Sequence, residues 1–483
     1  MKIQKLYKMA FAILMCGAAS IHSTKSQEFS ISGSSNNSIP GGVAFDGTNY
    51  LIGLSGDATS DSNLTVQFIS TAGQLVGNRI PLGETGSAPV VAFDGANYLL
   101  IWSDKYVAFL DNGDDAGMTN IYGRFIDPSG SFVGNKFTIE TDAYIKGCII
   151  GSVHFNGTNY FFTYFEDDGA GDIGHAYGRF ISTTGALLGS PIQISSAAVG
   201  GVNIAFDGTN YLAVFEINSR FIYGQFISAA GSLVGANFSI DNSPNFSDNP
   251  MSVAFDGSQY LVAFHDQQST GSGWNLFARF VSSSGTVSAN KITICDSTQS
   301  PMIPTLAYDG TNYISAWISM NSKQIKGQFL NTTGTPVNNE YVIFDSITGV
   351  LPLGGVATFS ANQYLAVCTK LNWSKTEKID NTNLGIFGKF VEKSTSISEN
   401  CNDGYSFILY PNPASNIVTL DIDKTNNAEL TLNIFNVIGT LVKSEILKQS
   451  QQQINIGDLI NGIYIAELKS KGWTEKQKLI IER

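Results

Sequence analysis

The sequence predicts an all-β protein: a seven-bladed β-propeller followed by a smaller strand-rich domain. Three observations carry this. One pattern of about 50 residues recurs seven times between residues 41 and 391. Most copies hold two β-rich runs joined by Asp-Gly, a strong hairpin signal because glycine takes the positive φ the turn demands. The composition is that of short strands and tight turns: of 483 residues 49 are Gly, 43% are hydrophobic and only 14% are charged. That excludes a disordered polyelectrolyte and a charged helical rod.

In chain order, residues 1–26 read as a secretion signal. Lys2, Lys5 and Lys8 precede an apolar stretch at 9–19, with small Thr24 and Ser26 before the expected cleavage. That stretch is too short for a bilayer, which needs about 20 residues. A lipid-anchored alternative at Cys16 is disfavoured by Met15, where such signals carry a small residue. No later stretch is long and apolar enough to span, so no transmembrane segment is expected after signal removal. Four cysteines then remain, at 148, 295, 368 and 401. They allow three disulfide pairings, but Cys295 and Cys368 lie in strand-like runs and read as small core residues.

The repeat occupies the domain 27–400. Its first half reads Val43-Ala44-Phe45-Asp46-Gly47-Thr48-Asn49-Tyr50 and returns at 91–98, 153–160, 204–211, 253–260 and 306–313, decaying at 356–364. Its second half reads Ile121-Tyr122-Gly123-Arg124-Phe125-Ile126, then a Ser-Gly turn and a short strand such as Phe137-Thr138-Ile139. Each copy therefore holds four strands. Runs such as Tyr260-Leu261-Val262-Ala263-Phe264 are apolar without alternation, so both faces are buried. A repeated four-stranded unit of about 50 residues is a propeller blade; an immunoglobulin-like sandwich needs about 100. Glycine inside the third strand, as at Gly178 and Gly224, suits close approach of a neighbouring sheet. Copy seven lacks a fourth strand, and Glu28-Phe29-Ser30-Ile31 matches Asn237-Phe238-Ser239-Ile240 of copy four. The N-terminal strand is thus expected to complete the last blade and remove an open sheet edge.

After a linker at 401–408, the domain 409–483 carries Tyr410-Pro411-Asn412-Pro413, Leu432-Asn433-Ile434-Phe435 leading to Gly439, Asn461-Gly462-Ile463-Tyr464, and a last strand from Lys478. These segments are short alternating strands with Asn/Gly turns. With Tyr410, Pro411, Asn412, Pro413, Gly439, Gly462, Tyr464 and Lys478 as its motif residues, the domain resembles the type A C-terminal sorting domain of the type IX (Por) secretion system. The resemblance implies a small β-sandwich, recognition by the type IX secretion machinery, passage across an outer membrane, removal of the tail and attachment to the cell surface.

Net charge is -12, and the propeller is more acidic than that because the leader is lysine-rich and the tail nearly balanced. Nucleic acid is excluded as a partner on this ground. Chemistry is hard to find. The loops entering strand one are bland (Ser87-Ala88-Pro89, Gly200-Gly201, Gly354-Gly355), with no facing carboxylates for glycoside cleavage and no nucleophile beside a base. The sialidase-type Asp box is absent. Asp46, Asp94, Asp207, Asp256 and Asp309 read as turn formers and the recurring tyrosines as core.

Two acidic loops differ: Asp111, Asp114 and Asp115 in copy two, and Asp167, Asp168 and Asp172 in copy three. Dense carboxylates with glycine suit calcium, though neither fits EF-hand spacing and a solvated loop is the competing reading; no other cofactor is expected. His175 and His265 read as surface histidines. Trp274 and Trp373, on long loops of copies five and seven, are the candidates to stack on sugar rings. The function expected is a monomeric, secreted, surface-displayed binder of an extracellular glycan or protein; the alternative is a polysaccharide hydrolase or lyase.

Overall fold

The computed structural model describes residues 28–32, 39–55, 63–86, 89–104, 118–144, 150–167, 174–195, 197, 199–218, 220–242, 252–267, 273–345, 350–360, 363–373, 379–392, 407–422, 430–436, 440–447, 451–470 and 473–483. The signal segment, Cys148 and Cys401 lie outside them. Every element among the described residues is a strand. Seven sheets of four antiparallel strands follow in sequence. In blade five the strands are Ser252–Phe255, Gln259–Gln267, Trp274–Ser282 and Ile292–Cys295, hydrogen-bonded in that order. The first strand of each blade touches the first strand of the next, and that of blade seven touches that of blade one. This closed cycle of seven is the propeller.

The hairpins form for the reason the motif suggests. Asp46 Oδ1 accepts from the amides of Thr48 and Asn49, both at 2.7 Å, while Gly47 takes φ 98°. Asp94, Asp207, Asp256 and Asp309 repeat the arrangement, and Asn156 replaces the aspartate in copy three. The tyrosine closing each motif is fully buried, from Tyr50 to Tyr364. In five blades its hydroxyl donates to a carbonyl of the preceding blade's turn, as from Tyr98 to Asn49 (3.2 Å) and from Tyr260 to Asn210 (3.1 Å). One eight-residue motif thus builds a hairpin and fastens it to its neighbour. Burial, then the preceding blade's Asp46 carboxylate, holds the Tyr98 hydroxyl well above the usual phenol range.

The third-strand glycines serve a contact within the blade rather than between sheets. A Cβ on Gly123 would lie 2.5 Å from the ring of Phe137, and one on Gly224 2.7 Å from Phe238. Both rings come from the blade's own fourth strand, so the neighbouring-sheet expectation is corrected at these positions.

Closure follows the expected route. Phe29 pairs with Gly388 and Ser30 with Phe387. The Phe29 ring lies over Gly388 and 5.5 Å from Phe390, and Ile31 is 2% exposed. Glu28 forms an ion pair with buried Lys370. Arg79 of blade one donates to the Ile31 carbonyl at 3.3 Å.

Residues Thr395–Arg483 belong to a second compact unit. It is a small β-sandwich. One sheet holds Phe407–Tyr410, Ile417–Ile422 and Gln451–Asn455; the other is ordered Leu441–Leu447, Leu430–Asn436, Gly462–Ser470, Trp473–Ile481. Phe407, Val418, Leu420, Ile434, Ile454, Tyr464 and Leu479 lie in its core. The first strand begins within the stretch 401–408 read as linker. Cys295 and Cys368 are free and buried, and burial pushes the Cys295 thiol up to about 12.

Candidate functional site

In every blade the loop between strands two and three lies at the same end of the sheet as the chain entering strand one, because successive strands are antiparallel. At this end of blade five, the pairing His265↔Leu276, Asp266↔Asn275 and Gln267↔Trp274 sets a histidine and an indole on one face of the sheet and a carboxylate on the other. Trp274 is partly exposed and stands edge-on to His265, ring centroids 4.8 Å apart at 88°. His265 is only 1% exposed, which corrects its assignment to the surface: the strand that carries it is packed on both faces.

On the face that carries Asp266, opposite the histidine and the indole, lies an ionic cluster shared by two blades. Lys291 Nζ reaches Asp241 Oδ2 at 3.0 Å and Asp266 Oδ2 at 3.3 Å. Arg279 Nε donates to Asp241 Oδ1 at 3.1 Å, and its Nη1 to the Ser288 carbonyl at 2.7 Å. Lys291 also sits 4.5 Å from the Phe277 ring centroid. Asp241 ends blade four, so the cluster ties blade four to blade five. Asp266 is 6% exposed and its Oδ1 is buried without a protein partner. Burial raises its carboxyl above the usual range, opposed by Lys291.

A second histidine matters for stability. His154 stands in the first strand of blade three where five other copies have Ala44, Ala92, Ala205, Ala254 and Ala307. It is partly buried, and desolvation pushes its imidazole down to about 4.

The other expected site residues fall as follows. Trp373 ends the second strand of blade seven, paired with Ile379; its side chain lies outside the description. Asp167 ends the second strand of blade three, paired with Gly174. Asp111, Asp114, Asp115, Asp168, Asp172 and Gly439 lie outside the described residues. Among the described residues, no group of three or more His, Cys, Asp or Glu is placed to hold a metal ion.

The residue after the third-strand glycine was not singled out from the sequence, although it is long and polar in an otherwise apolar run. Gln225 donates to the Val234 carbonyl at 3.2 Å within its blade. Arg124 donates to the Leu82 carbonyl at 3.4 Å, and Lys389 to that of Ile343 at 2.6 Å, both on the preceding blade's outer strand. Arg279 occupies the same position.

In the C-terminal unit the motif residues converge. Asn412 Nδ2 donates to the Lys478 carbonyl at 2.7 Å, and its Oδ1 accepts from the Ile480 amide at 2.8 Å. The flanking Pro411 and Pro413 are exposed. Tyr410 accepts from Gln451 Nε2 at 2.6 Å, and buried Tyr464 donates to the Ile460 carbonyl at 2.9 Å. Gly462 opens the strand that carries Tyr464.

Comparison with known proteins is informative for this unit. Residues 408–482 match the family described as the secretion system C-terminal sorting domain. No curated protein matches the chain. Among solved structures it is similar to hydrazine synthase of Kuenenia stuttgartiensis, at 15% identity and TM-score 0.42 over 60% of this chain and 76% of that one. The β-propeller domain of the Trilobed protease from Pyrococcus furiosus is similar at 9% and 0.42, over 71% and 97% of the two chains. Polysaccharide lyase Uly1 is similar at 9% and 0.46, over 78% and 94%. No helix among the described residues is long and apolar enough to cross a membrane. The chain is a seven-bladed propeller that carries, at 408–482, the C-terminal sorting domain of type IX secretion cargo.

Proposed function

We propose that this protein is displayed at the outer-membrane surface and binds an extracellular glycan or partner protein through the loop end of its propeller. The observation that carries the reading is Trp274: an indole partly open to solvent and braced by a buried histidine at the loop end of blade five, a sheet whose other face is tied to blade four by an ionic cluster. A rigid aromatic with one polar edge suits a sugar ring or a protein hot spot, because little conformational entropy is lost when it is covered. The acidic surface steers the choice toward neutral or basic ligands. The protein acts as a monomer. Glycan-array binding of the mature chain tests this, with Trp274→Ala expected to weaken the bound glycan by about tenfold or more at unchanged melting temperature. Binding that is indifferent to Trp274 would refute the site.

One observation favours the hydrolase or lyase alternative: the Asp266 carboxyl, near the loop end of blade five, is raised by burial. A raised carboxyl is the form a general acid needs. Release of new sugar ends from polysaccharide, abolished by Asp266→Asn, would replace the binding reading with this one.

A further inference from the structure

The motifs of the sorting domain alternate, and the alternation divides their residues into two sets. Ile434, Tyr464, Ala466, Leu479 and Ile481 point inward and are 5% exposed or less. Their neighbours point outward, since successive side chains on a strand face opposite sides. In the sheet ordered Leu441–Leu447, Leu430–Asn436, Gly462–Ser470, Trp473–Ile481, direct partners share a face. Leu441 pairs with Phe435, Phe435 with Ile465, and Ile465 with Lys478. One row of side chains therefore crosses all four strands, and Ile463 with Ile480 extends it on the same face. Leu441 is 50% exposed and Ile463 46%; Lys478 is exposed, and Phe435, Ile465 and Ile480 are partly so. Two residues along, the face turns polar at Asn433 and Glu467.

Three motifs far apart in sequence thus contribute their outward residues to one apolar strip around one cation. Folding accounts for the inward set, whose side chains make the core. It does not account for the outward set, since large apolar side chains left in water favour association and mark interaction surfaces. We propose that this strip is the surface by which the type IX export machinery recognises the chain, through a component that presents an apolar groove and a carboxylate for Lys478. The inference rests on the sorting-domain match to residues 408–482, which makes that machinery the partner of this unit; it adds which face is read.

The test uses the full-length chain in an exporting bacterium, with the propeller at the surface measured by protease accessibility of intact cells. Ile463→Ser, Leu441→Ser with Ile465→Ser, and Lys478→Glu are each compared with Ile446→Ser. Ile446 is 55% exposed on the same sheet, beside Thr431 at its far end. Row variants should reach the surface about tenfold less and accumulate in the periplasm, since removing a central anchor at an interface typically costs that much affinity or more. Ile446→Ser should be exported normally. Melting curves of the purified chains identify any variant that fails to fold; Lys478→Glu and Ile463→Ser, both at exposed positions, then decide alone. Normal export of the row variants overturns the proposal, and so does equal retention of Ile446→Ser. Deleting 408–483 separates the two levels: a deleted chain still at the surface refutes the export reading itself. Retention of the deleted chain alongside normal export of the row variants refutes only the choice of face.

Discussion

The strand that closes the ring is short, and its removal should be costly out of proportion to its length. The perturbation is Phe29→Ala with Ile31→Ala. Ile31 is 2% exposed in a cluster with Val43, Tyr50, Ile52, Leu365, Val367, Ile386 and Phe390, drawn from blades seven and one. Phe29 packs over Gly388 and Gly73, the latter in the outer turn of blade one. Truncating a buried Ile costs about 2–5 kcal/mol and a Phe about 3–5 kcal/mol. The two share neighbours and Phe29 is only partly buried, so the pair should cost about 4–7 kcal/mol rather than the full sum. That is a large fraction of a typical 5–15 kcal/mol. The assay is the urea midpoint and melting temperature of the mature chain, with light scattering to detect association of the freed edge. Exposed Ser30, whose hydroxyl donates to the Ser32 carbonyl, is the control: Ser30→Ala should change stability by about 1 kcal/mol or less. Glu28→Gln probes the same joint by charge, since it leaves Lys370 at 3% side-chain exposure without its carboxylate, a loss of about 3–5 kcal/mol for a broken buried pair. A double variant that melts with the wild type would refute closure by the N-terminal strand.

Replacing His154 by the alanine of other copies should flatten the acid limb of stability. Its folded pKa, about 4, lies below the ordinary 6.5, so its unfolded form binds the proton first. Wild-type stability should fall relative to His154→Ala as pH drops from 6.5 towards 4, by up to about 3 kcal/mol; parallel pH profiles would contradict this. Lys291→Met should leave Asp241 and Asp266 facing each other without their shared cation, costing about 3–5 kcal/mol at neutral pH. Part of that should return in acid, where the raised Asp266 carboxyl protonates first; urea midpoints with no pH-dependent recovery would remove the lysine from that role. If the acidic loops bind calcium, chelator should lower the melting temperature, and Asp114→Asn with Asp168→Asn should abolish the sensitivity. Superimposable curves would leave only solvated loops.

Much of the propeller was legible in the sequence because its determinants are local or repeat. An Asp-Gly turn caps itself through residues two and three positions on, and an unbroken apolar run announces a strand buried on both faces. The closing strand could be matched to blade seven because its sequence copies a fourth strand seen elsewhere. What the C-terminal unit is could be read from motif order, since those motifs are short, local in sequence and follow one another in a fixed order along the chain. Only the tertiary structure decided the remainder. The Asp241–Lys291–Asp266 cluster joins residues 50 and 25 positions apart, on strands whose side-by-side placement depends on ring geometry. His265 is interior and Trp274 partly open, although both lie near the same loop, because burial depends on how a neighbouring blade packs against each face. In the sorting domain alternation shows that every second residue shares a face, but not which face is covered. The second sheet of the sandwich settles that, burying Tyr464 and leaving Ile463 and Lys478 in solvent.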